Sequence, residues 1–101
     1  MLNQKIDLGK MESMLVCLIG LPKFLNSNSK KDRKFGKMHL NDYIIPAIND
    51  LRSQYALLRG LPSSLAPHVI EQKYFTLIQT GKFEYASKYA RECLHLLRDG
   101  L

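Results

Sequence analysis

Between residues 23 and 39, Lys23, Lys30, Lys31, Arg33, Lys34 and Lys37 gather six cations around a single carboxylate, Asp32, with Phe35 in their midst. The chemistry open to such a run is electrostatic. Ammonium and guanidinium groups neutralise phosphates and release counterions, and an aromatic ring offers a stacking surface. Phosphate contacts of this kind carry no base information by themselves. The 101-residue chain has a net charge of only +6, so its excess charge is local and the remainder nearly balanced. The same run also suits an acidic protein, a membrane surface, or a loop kept solvated by its charges. It is not accompanied by a helix-turn-helix, zinc-finger or RNA-recognition pattern.

The remaining chemistry-bearing residues do not converge. His39, His68 and His95 are scattered, and Cys93 and His95, two apart, face different ways on a helix. Neither zinc-finger nor H-E-x-x-H spacing occurs, so no metal and no cofactor is expected. The two cysteines, Cys17 and Cys93, fall in apolar stretches, which reads as buried thiols in a reducing compartment, with a disulfide between them as the alternative. A Gly-rich phosphate loop, a Gly-x-Ser-x-Gly elbow and a close pair of carboxylates are all missing, so an enzyme is not expected. Arg91 and His95, one helical turn apart, resemble the pair used by HEPN ribonucleases, at a shorter spacing than that family employs. Two cations near a helix C-terminus also complement the helix dipole.

The elements that must position these residues read as all-α, a small bundle of about four helices in a single domain, residues 1–101. An apolar content of 46% is too high for disorder, and this length buries roughly 65% of the unfolded surface. Residues 1–9 read as a frayed polar end. A first helix spans Lys10 to about Gly20, with Met11, Met14, Leu15, Leu18 and Ile19 on one stripe, and Gly20 and Pro22 stop or kink it. It is apolar nearly all round between Met14 and Leu21. Residues 26–38 read as an exposed basic loop. Asn41 or Asp42 caps a second helix reaching about Arg59, with a seam of Ile44, Ile48, Leu51, Tyr55 and Leu58. Pro46 requires that helix to begin close to it. Gly60 ends it, and Ser63 or Ser64 caps a third helix with Pro67 near its start.

The last two helices are the clearest. Ile70, Tyr74, Leu77 and Ile78 form one stripe, Thr80-Gly81-Lys82 breaks it, and Ala86, Tyr89, Ala90, Cys93, Leu94 and Leu97 form the next. Gly81 suits the left-handed conformation that ends a helix. Gly81-Lys82-Phe83-Glu84-Tyr85-Ala86, followed by Ala90, Cys93 and Leu94, resembles the second half of a tetratricopeptide repeat, and is similar also to the CTLH motif. The resemblance covers about a quarter of the chain. It departs from the repeat pattern at Tyr74, where a small residue is usual, and in having one copy where stacked arrays need about three.

That resemblance implies a protein-protein interaction module, an adaptor or chaperone-like protein holding a partner helix or peptide between helical hairpins. Tyr74, Leu77, Phe83, Ala86, Tyr89 and Ala90 would form the groove, with Lys73, Lys88 and Arg91 on its rim. A second copy of the chain is another candidate occupant. The alternative is a nucleic-acid-associated regulator that binds phosphates through Lys30, Lys31, Arg33, Lys34, Phe35 and Lys37. The apolar run Met14 to Leu21 is far shorter than the roughly 20 residues of a membrane span. Asp7 and Glu12 before it and Pro22 after it do not suit a signal peptide, so a cytoplasmic location is expected.

Overall fold

The first helix, α1 (Leu2–Leu25), is the main packing partner in the fold but is not wrapped on every side: although apolar nearly all round between Met14 and Leu21, it leaves Val16 49% exposed. The computed structural model describes residues 2–55 and 61–99. Met11, Met14, Leu15, Leu18 and Leu21 of α1 are buried, and every other α-helix packs on it or on a neighbour that does. Its span exceeds the expected Lys10–Gly20 at both ends, and residues 2–9 are helical where a frayed end is expected.

Gly20 and Pro22 do not stop α1, for a reason that lies far away in sequence. Proline has no N–H, so Pro22 leaves the carbonyl of Leu18, four residues earlier, without its helical donor. The buried hydroxyl of Tyr74 donates to that carbonyl at 2.7 Å. At the next residue, Ser87 Oγ donates to the Ile19 carbonyl at 2.8 Å.

The segment 26–38, expected as a loop, is a turn only as far as Ser29; α2 runs from Lys30 to His39. Ser29 Oγ accepts the Asp32 backbone N–H at 3.3 Å, which satisfies one of the orphan donors of the first turn. Ser27 reinforces the turn by donating to the Asp32 carboxylate at 3.0 Å, while its carbonyl accepts Arg33 Nη1 at 2.7 Å. Ser29-x-x-Asp32 is a capping signature. The hydrophobic stripe that marks most helices is missing because α2 turns Gly36 inward. A Cβ there would lie 3.0 Å from Leu25 Cδ2 and 3.1 Å from Phe24 Cβ, so glycine lets α2 approach the end of α1 closely.

From α2 the rod continues without a break. A π-helical turn, Leu40–Ile44, leads into α3 (Ile45–Gln54), and the Ile45 N–H bonds the Leu40 carbonyl five residues back. The widened turn places Pro46 at the start of regular helix, where its missing donor costs little. Asn41 and Asp42, expected as caps, therefore lie mid-rod. Ile44, Ile48 and Leu51 are fully buried and Tyr55 half-buried; Leu58 and the expected end near Arg59 and Gly60 lie outside the described residues.

Ser63 and Ser64 belong to a 3₁₀ turn, Ser63–Leu65, and do not cap α4 (Pro67–Gln79), which starts on Pro67 after Ala66. Gly81 has φ 75°, and the turn closes with Lys82 N–H on the Leu77 carbonyl (2.8 Å) and Gly81 N–H on that of Ile78 (3.1 Å). That bond pair is a Schellman C-cap. It returns the chain as α5 (Phe83–Asp99), whose buried Ala86, Ala90, Cys93, Leu94 and Leu97 lie on its packed face; α1 is its main neighbour. The expected all-α bundle of four helical rods is observed among the described residues. None of these helices is long and apolar enough to cross a membrane.

Candidate functional site

Helical phase decides what α2 offers to solvent. Lys30, Lys34, Lys37 and Asn41 recur at spacings of four, three and four, so they lie along one stripe roughly 16 Å long at 1.5 Å per residue. Lys31, Met38 and Asp42 run beside it. All seven are exposed. They border an open concavity of about 710 Å³. Among the described residues, the four lysines make no ion pair; the pairs that do form are Lys10–Asp50, Arg52–Glu71 and Arg98–Glu12, elsewhere on the surface. Arg33, counted in the sequence with the phosphate-binding cations, is half-buried and holds the Ser27 carbonyl, so its guanidinium belongs to the turn before α2.

A third stripe carries rings. Phe35, His39 and Tyr43 follow at i, i+4 and i+8, and Phe24 of α1 closes the row. Phe24 and Phe35 are 5.0 Å apart at 52°, Phe35 and His39 6.1 Å at 4°, and His39 and Tyr43 5.2 Å at 15°. Phe24, Phe35, Met38 and Tyr43 are four of the seven large apolar residues exposed among those described. Exposed apolar side chains scattered singly are ordinary; a cluster rimmed by charge marks an interaction surface. Sequence reasoning singled out Phe35 alone, although the four-residue repeat of Phe35, His39 and Tyr43 was available to find the rest.

The groove expected around the hairpin is distributed over three places. Tyr74, Ala86 and Ala90 are fully buried, so they are core and not groove. Tyr74 is spent on the Leu18 carbonyl, and the two alanines lie on the buried face of α5, whose main neighbour is α1. Phe83 and Arg91 border a cleft between α1 and α5, beside Pro22 and Ser87. Leu77, Tyr89, Lys73 and Lys88 border two adjoining hollows between α4 and α5, each about 480 Å³, which share Leu77 and Tyr89. The Tyr89 hydroxyl is buried beside the Cys93 thiol and has no well-formed hydrogen bond among the described residues. Burial pushes its pKa well above the ordinary phenol value, with the neighbouring Cys93 thiol adding to the shift.

Both cysteines are free, Cys17 half-buried and Cys93 buried. Burial raises both thiol pKa values above the ordinary one. His95 and Arg91 are exposed on α5, and His68 stands edge-on to Tyr55 at 6.3 Å. The described residues contain no group of three or more metal-binding side chains. No family model, curated protein or solved structure matches the chain.

Proposed function

We propose that the protein binds nucleic acid through its phosphates, using the solvent face of α2. The observation that carries this reading is the placement of Lys30 and Lys31 in the first two positions of that helix, directly after the Ser29 cap. A helix N-terminus is the positive end of the macrodipole, and a cation there costs about 0.3–1 kcal/mol. No ion pair among the described residues offsets that cost. Asp32, in the same first turn, offsets part of that cost; four lysines remain exposed on this face with no ion pair among the described residues, and an anion lying across Lys30, Lys31, Lys34 and Lys37 would balance them. The neighbouring row of exposed rings extends the surface beyond pure charge.

Fluorescence anisotropy of labelled oligonucleotides tests the reading. Neutralising about four phosphates of a duplex gives a slope of about −3.6 in log K against log salt, or a loss of roughly 150-fold between 50 and 200 mM. Charge reversal at the four lysines abolishes the binding. Failure to bind at low salt contradicts the proposal.

A second reading, a module that holds a helix or peptide of a partner protein between α4 and α5, draws support from the half-buried Leu77 and Tyr89 that border the hollows there. The resemblance of the Gly81 hairpin to tetratricopeptide-type adaptors and chaperones agrees with it. A partner held there responds little to salt and loses affinity on Leu77→Ala, whereas charge reversal on α2 leaves it intact.

A further inference from the structure

Resting on the reading of the α2 face as a phosphate binder, we infer that its ligand is a single-stranded nucleic acid, its phosphates on the lysine stripe and its bases on the row of rings. The juxtaposition that carries this is a line of exposed rings running beside lysines that make no ion pair among the described residues. In a paired duplex the bases stack on one another and the grooves show only their edges. Open ring faces therefore find no stacking partner along it. A single strand presents its phosphates and the faces of its bases together, and sequence-tolerant binders meet it with a basic groove beside aromatic side chains.

The rings have faces to offer. Phe35 is 54% and Tyr43 41% exposed. Phe35 and His39 lie within 4° of parallel, with centroids 6.1 Å apart. Rings in contact have planes about 3.5 Å apart, so this pair is either slid by about 5 Å or parted by a gap. Bare face remains in both cases. His39 and Tyr43, 5.2 Å apart at 15°, are offset in the same manner, and Phe24 meets Phe35 at a tilt of 52° and does not lie flat on it. Helical phase brings both rows within reach of one strand. At about 100° per residue, Lys31, Met38 and Asp42 fall between the lysine stripe and the rings. Lys31 precedes Phe35 by four residues and Met38 follows it by three, so both are its neighbours on the helix surface. Met38 also lies four residues from Lys34. The lysines and Met38 border the open concavity of about 710 Å³, and the rings stand outside it, past Met38. Asp42 borders its far end, where a carboxylate repels phosphate. The basic track therefore runs from Lys30 to Lys37, about 10 Å along the helix.

The test measures anisotropy of labelled oligo-dT and oligo-U of about 15 nucleotides, and of the dT·dA duplex of the same length, against the intact chain. At fixed salt, one or both single strands should bind about tenfold or more tighter than the duplex, the tighter strand identifying the sugar. About four phosphates of a single strand give a slope near −2.8 in log K against log salt. Phe35→Leu and Tyr43→Leu keep apolar bulk on the helix and remove the ring face. Each should weaken the single strand about fivefold or more, change the duplex by less than about twofold, and leave the salt slope as it was. Duplex binding equal to or tighter than that of both strands overturns the inference and leaves the phosphate-binding reading standing. So does single-strand affinity within about twofold of the parent chain in both leucine variants. Absence of nucleic-acid binding at low salt overturns both, as does binding of phosphatidylserine vesicles as tightly as the strand.

Discussion

The hairpin of α4 and α5 and the exposed face of α2 use aromatic residues in opposite ways. In the hairpin, Tyr74 is fully buried and its hydroxyl repairs the break that Pro22 makes in α1. On α2, Phe35, His39 and Tyr43 stand outside the core and stack on one another. The first region carries the features that look most like a binding module and uses several of them to hold the fold. The second has no apolar stripe and keeps its distinctive side chains for solvent. Periodicity therefore reports what a helix buries, while exposed charge such as Lys30 at a helix N-terminus has to be read from its position on the surface.

Breaking the hairpin's part in this contrast has the largest expected effect. Tyr74→Ala empties a fully buried site and should destabilise the protein by about 3–5 kcal/mol in urea denaturation. Tyr74→Phe keeps the ring but leaves the Leu18 carbonyl without a donor, for about 1–3 kcal/mol. Pro22→Ala restores a backbone donor to that carbonyl, so Tyr74→Phe should cost distinctly less in the Pro22→Ala background. Additive effects in that double-mutant cycle would show that the tyrosine does not compensate the proline.

The seat of α2 comes next. Gly36→Val pushes a branched side chain against Phe24 and Leu25 and should lower stability by about 1–3 kcal/mol, measured in the same way. Because the lysines are untouched, folded Gly36→Val protein should keep its salt-dependent binding. Unchanged stability would mean that α2 and α1 do not need their close approach.

Why some of this was legible and some was not follows from what each helix buries. Residues 70–97 announce themselves because Ile70, Tyr74, Ala86, Ala90, Cys93, Leu94 and Leu97 are all buried at helical spacing, and Gly81 marks the turn between them. The α2 helix was hidden because its inward face is a glycine and a half-buried Leu40; only Ser29-x-x-Asp32 betrayed its start. Pro22 and Pro46 read as stops because their remedies are not in the local pattern. One remedy is a hydroxyl 56 residues from the carbonyl it serves, the other a π turn. For the site, the cluster of cations was plain in the sequence, whereas its place at a helix N-terminus and the row of rings beside it were not recognised. The same local blindness put Tyr74, Ala86 and Ala90 in a groove, since the sequence of a hairpin does not say which of its faces α1 will cover.

The smallest effects concern the thiols. Burial holds the pKa values of Cys17 and Cys93 above the ordinary 9.0, so the folded state retains their protons more tightly than the unfolded chain does. This stabilisation is complete below pH 9.0 and is lost as pH rises through the folded values. The urea midpoint should therefore fall at alkaline pH, and fall less in a Cys93→Ala variant when each protein is compared with its own midpoint at neutral pH. With a disulfide-exchange reagent, half-buried Cys17 should react before Cys93, which is 5% exposed. The reverse order would misplace α5 against the core.

The most direct measurement pairs stability with binding in Lys30→Glu/Lys31→Glu. Removing two cations from the first turn and adding two carboxylates that suit the helix dipole should gain the double variant about 1–4 kcal/mol at low salt while its affinity for labelled nucleic acid falls at least tenfold. Lower stability, or unchanged affinity, would contradict the claim that these lysines stand against their helix for the sake of an anionic ligand.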